Sequence, residues 1–125
     1  MELSSSVRSS VAAEKDALCA RLEALAAQYG GSFSQRGAYP PWEYRKDSPL
    51  RDTMTRVYRE LSGREMQVEA IHAGLECGLF SGKMPELDAV SIGPDLRDVH
   101  SARERMSVSS IARTWTYLRK VLEEL

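Results

Sequence analysis

Ile71-His72-Ala73-Gly74-Leu75-Glu76-Cys77-Gly78 and, further along, Pro94-Asp95-Leu96-Arg97-Asp98-Val99-His100-Ser101 carry both histidines of this 125-residue chain. Each stretch follows a run with strand character, residues 66–71 in the first case and 87–92 in the second. Each then opens through glycine, at Gly74 and at Gly93-Pro94. Histidines just past strand ends occupy the place where α/β proteins keep ligands and catalytic groups. The fold therefore turns on whether helices alternate with these strands.

Outward from the two loops they do. Val11, Leu18, Leu22, Leu25 and Tyr29 recur at helical spacing, with helix-favouring alanines between them. Gly30-Gly31 ends that helix. Residues 3–9 and 32–36 flank it as short strands, so the first forty residues read strand–helix–strand. The first strand is mostly serine and starts almost at residue 1, as if the chain began within a larger fold. Tyr39-Pro40-Pro41-Trp42 breaks the pattern, because proline removes donors and biases its neighbours to extended conformations. A domain junction is expected there, separating residues 1–41 from residues 42–125.

Beyond the junction, Ser48-Pro49 is a helix start, with serine at the N-cap and proline at the first helical position. Leu50, Met54, Val57, Tyr58 and Leu61 form its apolar face, and Gly63 ends it. Residues 75–80 suit a short helical turn stopping before Ser81-Gly82. Ser107 caps a last helix with Val108, Ile111, Trp115, Leu118 and Leu122 along one face. The second part reads helix–strand–turn–strand–helix, and the whole chain as an α/β layer fold.

Composition narrows the function. Seventeen Lys and Arg against eighteen Asp and Glu leave a net charge of −1, with no aromatic-interleaved basic run, so no nucleic-acid partner is expected. No apolar run approaches the roughly 20 residues of a membrane span, and residues 1–10 lack a secretory leader pattern. Cys19 and Cys77 are far apart and form no CxxC, so neither a disulfide framework nor a zinc ribbon is indicated. A cytoplasmic location is the expectation.

Among single residues, His100 is a candidate ligand for a borderline cation such as zinc, with Asp95 and Asp98 nearby. One imidazole makes no site, and from the residues alone an ordinary loop histidine, with solvated Asp95 and Asp98, is the plainer reading. His72 and Glu76 would share a face if the turn between them is helical; a structural hydrogen bond is the plainer alternative. Gly74 and Gly78 permit a tight turn and close approach of a ligand. Arg8, beside Ser9 and Ser10 at the mouth of the first helix, together with free helix-start N–H groups, is suited to grip a carboxylate. A solvated arginine is the alternative. Tyr39, Trp42 and Tyr44 suit a packed hinge. Cys77 with His72 as base lacks a supporting motif for nucleophilic catalysis.

Taken in order, Val7-Arg8-Ser9-Ser10, Tyr39-Pro40-Pro41-Trp42, Ser48-Pro49-Leu50, His72-Ala73-Gly74-Leu75-Glu76-Cys77-Gly78, Ser91-Ile92-Gly93-Pro94 and His100-Ser101 resemble the C-terminal part of the aminoacyl-histidine dipeptidases. These are carnosinase-type, co-catalytic zinc peptidases built from a catalytic α/β domain and an inserted lid. The resemblance implies that residues 1–41 are the end of the lid and residues 42–125 the end of the catalytic domain. It implies that His100 is a metal ligand, that Arg8 holds the substrate carboxylate, and that Gly74 lines the substrate pocket, with His72 in the same stretch. It implies a dipeptide substrate of the Xaa-His type and a pair of divalent metals, zinc in the parent enzyme. The family usually has proline after His-Ser, where this chain has Ala102. Its HxD motif, bridging aspartate and paired glutamates are absent here. The chain is therefore expected to be inactive alone, to bind zinc weakly if at all, and to self-associate through apolar surface. The alternative is a small non-catalytic α/β binding module.

Overall fold

The computed structural model describes residues 2–72 and 76–125. Its elements are α1 (Ala12–Gln28), α2 (Pro49–Ser62), α3 (Glu76–Lys83), β1 (Leu96–Arg97), β2 (Arg105–Met106) and α4 (Val108–Glu123). Contacts divide the chain into two compact units, each assembled from two segments. One holds residues 1–46 and 69–87, the other residues 47–68 and 88–125. The architecture mixes helices with a small sheet, as an α/β reading requires.

In the second unit the helix ends form as their residues dictate. The Ser48 hydroxyl accepts the Arg51 N–H at 3.1 Å, and Pro49 needs no acceptor at the first helical position. The Asp88 carboxylate reinforces this end. It accepts the Ser48 hydroxyl at 2.7 Å and the Leu50 N–H at 3.0 Å, placing negative charge at the positive end of the helix dipole. Gly63 closes α2 in the left-handed conformation, donating to the Arg59 carbonyl. Ser107 caps α4 by accepting the Ser110 N–H.

α2 and α4 pack through Met54 and Val57 on one helix and Tyr117 and Val121 on the other, with Leu50, Tyr58, Met66 and Val90 around them. The Tyr58 and Tyr117 rings meet edge to face at 5.8 Å. Leu61, expected on the buried face of α2, is half exposed.

The larger correction concerns α4. Its expected inner face of Val108, Ile111, Trp115 and Leu122 is exposed, while Ser110, Tyr117 and Val121 are buried. At 3.6 residues per turn, the buried stripe lies roughly a quarter turn from the expected one. Tyr117 decides this, because its ring fills the space beside α2. The first unit shows the same effect. Leu18, Leu25 and Tyr29 of the expected α1 stripe are exposed, and no residue of α1 is buried. Periodicity marks an apolar face without supplying what covers it.

The expected strands at residues 3–9, 32–36, 66–71 and 87–92 form neither helix nor ladder among the described residues. Alternation favours an extended chain, and a strand also needs a hydrogen-bonded neighbour. The sheet is instead the antiparallel pair β1–β2, with Leu96 opposite Met106 and Arg97 opposite Arg105. Two-residue strands are too short for a period of two to register in the sequence.

α3 runs past the expected stop at Ser81-Gly82 to Lys83. Gly78 is therefore a helical residue and not part of a turn. It and Gly82 let the Pro40–Trp42 backbone and ring come close. A Cβ at Gly78 would lie 3.1 Å from the Pro40 carbonyl oxygen, and one at Gly82 only 2.7 Å from Pro40 Cγ. Among the described residues, no helix is long and apolar enough to cross a membrane.

Candidate functional site

The sequence-derived site residues fall in two places. Arg8 and His72 lie in the first unit and His100 in the second. Gly74 lies outside the described residues.

In the first unit, the His72 Nδ1 accepts the Ser10 backbone N–H at 2.9 Å across 62 positions of sequence. This bond assigns the ring's tautomer, because a nitrogen that accepts carries no proton; the neutral ring then presents its Nε2–H. The bond brings the His72 loop against the segment containing Arg8, two residues before Ser10. Arg8 is exposed, with its Nε donating to the Ser6 hydroxyl at 3.4 Å.

Three amides at the helix start beside Arg8 are engaged within the chain. Ser10 N–H goes to His72, Val11 N–H to the Ser9 hydroxyl at 3.0 Å, and Ala12 N–H to the Glu43 carboxylate at 2.9 Å. The carboxylate held by this helix start is the chain's own. Lys15 adds a bond to the Tyr39 carbonyl, fastening the Pro-Pro segment to α1. Nothing local in the sequence marked Ser10 or Glu43, since their partners are remote along the chain. The turn between His72 and Glu76, on which a shared face depends, lies outside the described residues. Glu76 begins α3, whereas His72 lies outside it with its ring directed to Ser10.

In the second unit, His100 sits in the connection from β1 to β2. Its φ is 63°, and that of Asp98 is 53°, the left-handed region that L-residues rarely enter. The loop is closed by its own polar groups. The Ser101 hydroxyl donates to the Asp98 carbonyl at 2.6 Å, and the His100 N–H donates to the Glu104 carboxylate at 2.9 Å. The imidazole is held on a short hairpin whose backbone is fixed at both ends. A backbone bond from Ser107 to Asp95, and one from Asp95 N–H to the buried Ser110 hydroxyl, tie the hairpin to the start of α4.

The carboxylates near His100 are engaged elsewhere. Asp98 pairs with Arg105 at 3.3 Å and Asp95 with Arg113 at 3.0 Å. Among the described residues no three His, Cys, Asp or Glu side chains cluster so as to hold a metal ion. Zinc takes about four ligands. The donors near His100 therefore do not fit a complete metal site, and His100 can serve only as one ligand among others supplied from elsewhere.

Comparison with known proteins gives this geometry a context. Residues 8–124 match the family described as Peptidase family M20/M25/M40. The chain is 35% identical over all of its 125 residues to the cytosol non-specific dipeptidase of Escherichia coli (strain K12), covering 26% of that protein. Its fold superposes on the crystal structure of aminoacylhistidine dipeptidase from Vibrio alginolyticus with a TM-score of 0.81 at 30% identity. That match covers 94% of this chain and 24% of the other. The chain thus spans about a quarter of the length of the relatives it matches.

Proposed function

The chain belongs to peptidase family M20/M25/M40, and we propose that it is the C-terminal part of a metal-dependent dipeptidase acting on Xaa-His dipeptides such as β-alanyl-histidine. The full-length match of the chain to a quarter of a dipeptidase is the observation that carries this reading. In it, His100 is one metal ligand, Arg8 holds the substrate carboxylate, and Gly74 and His72 line the pocket. Residues 1–41 belong to the lid and residues 42–125 to the catalytic domain. The metals, zinc in the parent enzyme, supply the activated water when bound. The chain's own contribution is to present an imidazole on a closed hairpin and a guanidinium beside an anchored helix start. The cytosolic relative supports a cytoplasmic location.

The isolated 125 residues, which lack the family's HxD motif and paired glutamates, are expected to be inactive and to bind zinc weakly. Carnosine hydrolysis by the purified chain, abolished by His100→Ala, would overturn that.

The direct test replaces the matched quarter of the Escherichia coli dipeptidase with these residues. The chimera should hydrolyse dipeptides. His100→Asn tolerates the left-handed backbone and should leave folding intact while lowering kcat by orders of magnitude. Arg8→Ala should act mainly on KM. A chimera whose activity is indifferent to His100→Asn would sink the assignment.

A further inference from the structure

α1 begins without a cap of its own. Its N-cap residue is Val11, which brings no side-chain acceptor. Two amides around this start are held from a distance instead. Ala12 N–H goes to Glu43, 31 positions on, and Ser10 N–H to the His72 Nδ1, 62 positions on. All four residues lie in one compact unit. The stretch that carries Arg8 is thus tied to the chain beyond the Pro-Pro segment by two bonds. These bonds answer differently to acid. A carboxyl group offers a carbonyl oxygen whether charged or protonated, but a protonated imidazole carries hydrogen on both nitrogens and accepts nothing. The His72 ring is exposed, so protons reach it in the folded chain. Ser10 is only 9% exposed, so its N–H has little water to turn to once the ring is charged. The segment must then move to find another acceptor, and Arg8 stands two residues away. The charged groups on the segments that meet here are Arg8, Glu14 and Lys15 around the start of α1, Glu43, and Glu69 and Glu76 on either side of His72. Glu14 accepts the Ser9 hydroxyl and Lys15 donates to the Tyr39 carbonyl. The partner of His72 is a backbone amide, so the ring is the titrating member of that pair.

We infer that His72 is a positioning residue for Arg8, holding the Ser10 segment through its neutral ring and releasing it on protonation. This rests on the reading of Arg8 as the group that holds the substrate carboxylate. Carboxylate binding is then strongest where His72 is neutral. It weakens in acid although the guanidinium keeps its charge throughout. Glu43 keeps the first turn of α1 in place meanwhile, so the release is confined to the residues before the helix.

The test follows the Ser10 amide of the 125-residue chain by NMR from about pH 8 to about pH 5, the span over which imidazoles ordinarily titrate. The His72 ring shifts are recorded alongside. Protection of Ser10 from exchange, corrected for the intrinsic rate, should fall about fivefold as the ring takes up its proton. The Arg8 and Ser9 amide shifts should follow the same midpoint. His72→Asn places an amide oxygen where Nδ1 stands and does not titrate, so Ser10 should stay protected across the whole range. His72→Ala should show the lowered protection throughout. A Ser10 amide indifferent to the ring's titration would overturn the inference, as would a pH response that survives in His72→Asn. Arg8 and Ser9 amides that ignore the midpoint would overturn it too. In the chimera, KM for a dipeptide should rise severalfold through the same midpoint in the wild-type sequence and not in His72→Asn. Amides that track the ring beside a KM that ignores it would refute the carboxylate role of Arg8 and leave the positioning of its segment standing.

Discussion

The Tyr117 hydroxyl donates to the Met54 carbonyl at 2.9 Å, joining the last helix to the middle of α2 across 63 positions. The bond is buried and gives that carbonyl an acceptor role beyond its own helix. Burial, with the neighbouring Tyr58 second, pushes the Tyr117 hydroxyl up to about 12 from its usual 10. Tyr117→Phe keeps the ring and removes the bond, and should cost about 1 kcal/mol of stability in chemical denaturation at neutral pH. The raised value has a definite sign. The folded state holds the proton more tightly than the unfolded state, so this contribution is complete below pH 10. It is lost as pH rises through about 12. The wild-type chain should therefore lose stability between pH 10 and 12, and Tyr117→Phe should lose less over the same interval. A decline of equal size in both would show that Tyr117 is not its source.

Gly82→Ala is a second test, because two effects oppose each other. Alanine favours a helix interior by about 1 kcal/mol over glycine. At this position its Cβ would meet the Pro40 ring at 2.7 Å. The clash should win, so Gly82→Ala lowers the melting temperature. A rise would mean that the Pro40 ring gives way freely and that close packing of α3 is not required.

His72→Ala removes the acceptor for Ser10 N–H while leaving the Ser9 and Glu43 bonds at the start of α1. Exchange of the Ser10 amide should quicken by about fivefold, the equivalent of roughly 1 kcal/mol for one hydrogen bond. Nitrogen NMR of the wild-type ring should show the Nε2–H tautomer at alkaline pH. A ring protonated on Nδ1 under those conditions is incompatible with the bond.

Much of this protein was determined by the sequence alone. Helix positions, the Ser48-Pro49 and Ser107 caps, the glycine stop of α2 and the family-bearing order of its motifs rest on interactions within a few residues. Those interactions accompany the residues wherever they are placed. Both histidines were located in loops for the same local reason. Only the tertiary structure decided which stripe of α4 is covered, that His72 goes to Ser10, and that Glu43 takes up a helix-start amide. It also decided that the four expected strands join no ladder among the described residues, while two short ones form the hairpin that carries His100. Each of these outcomes requires a second segment distant along the chain. Periodicity states what a face or a backbone can offer, and burial and hydrogen bonding depend on what arrives to meet it.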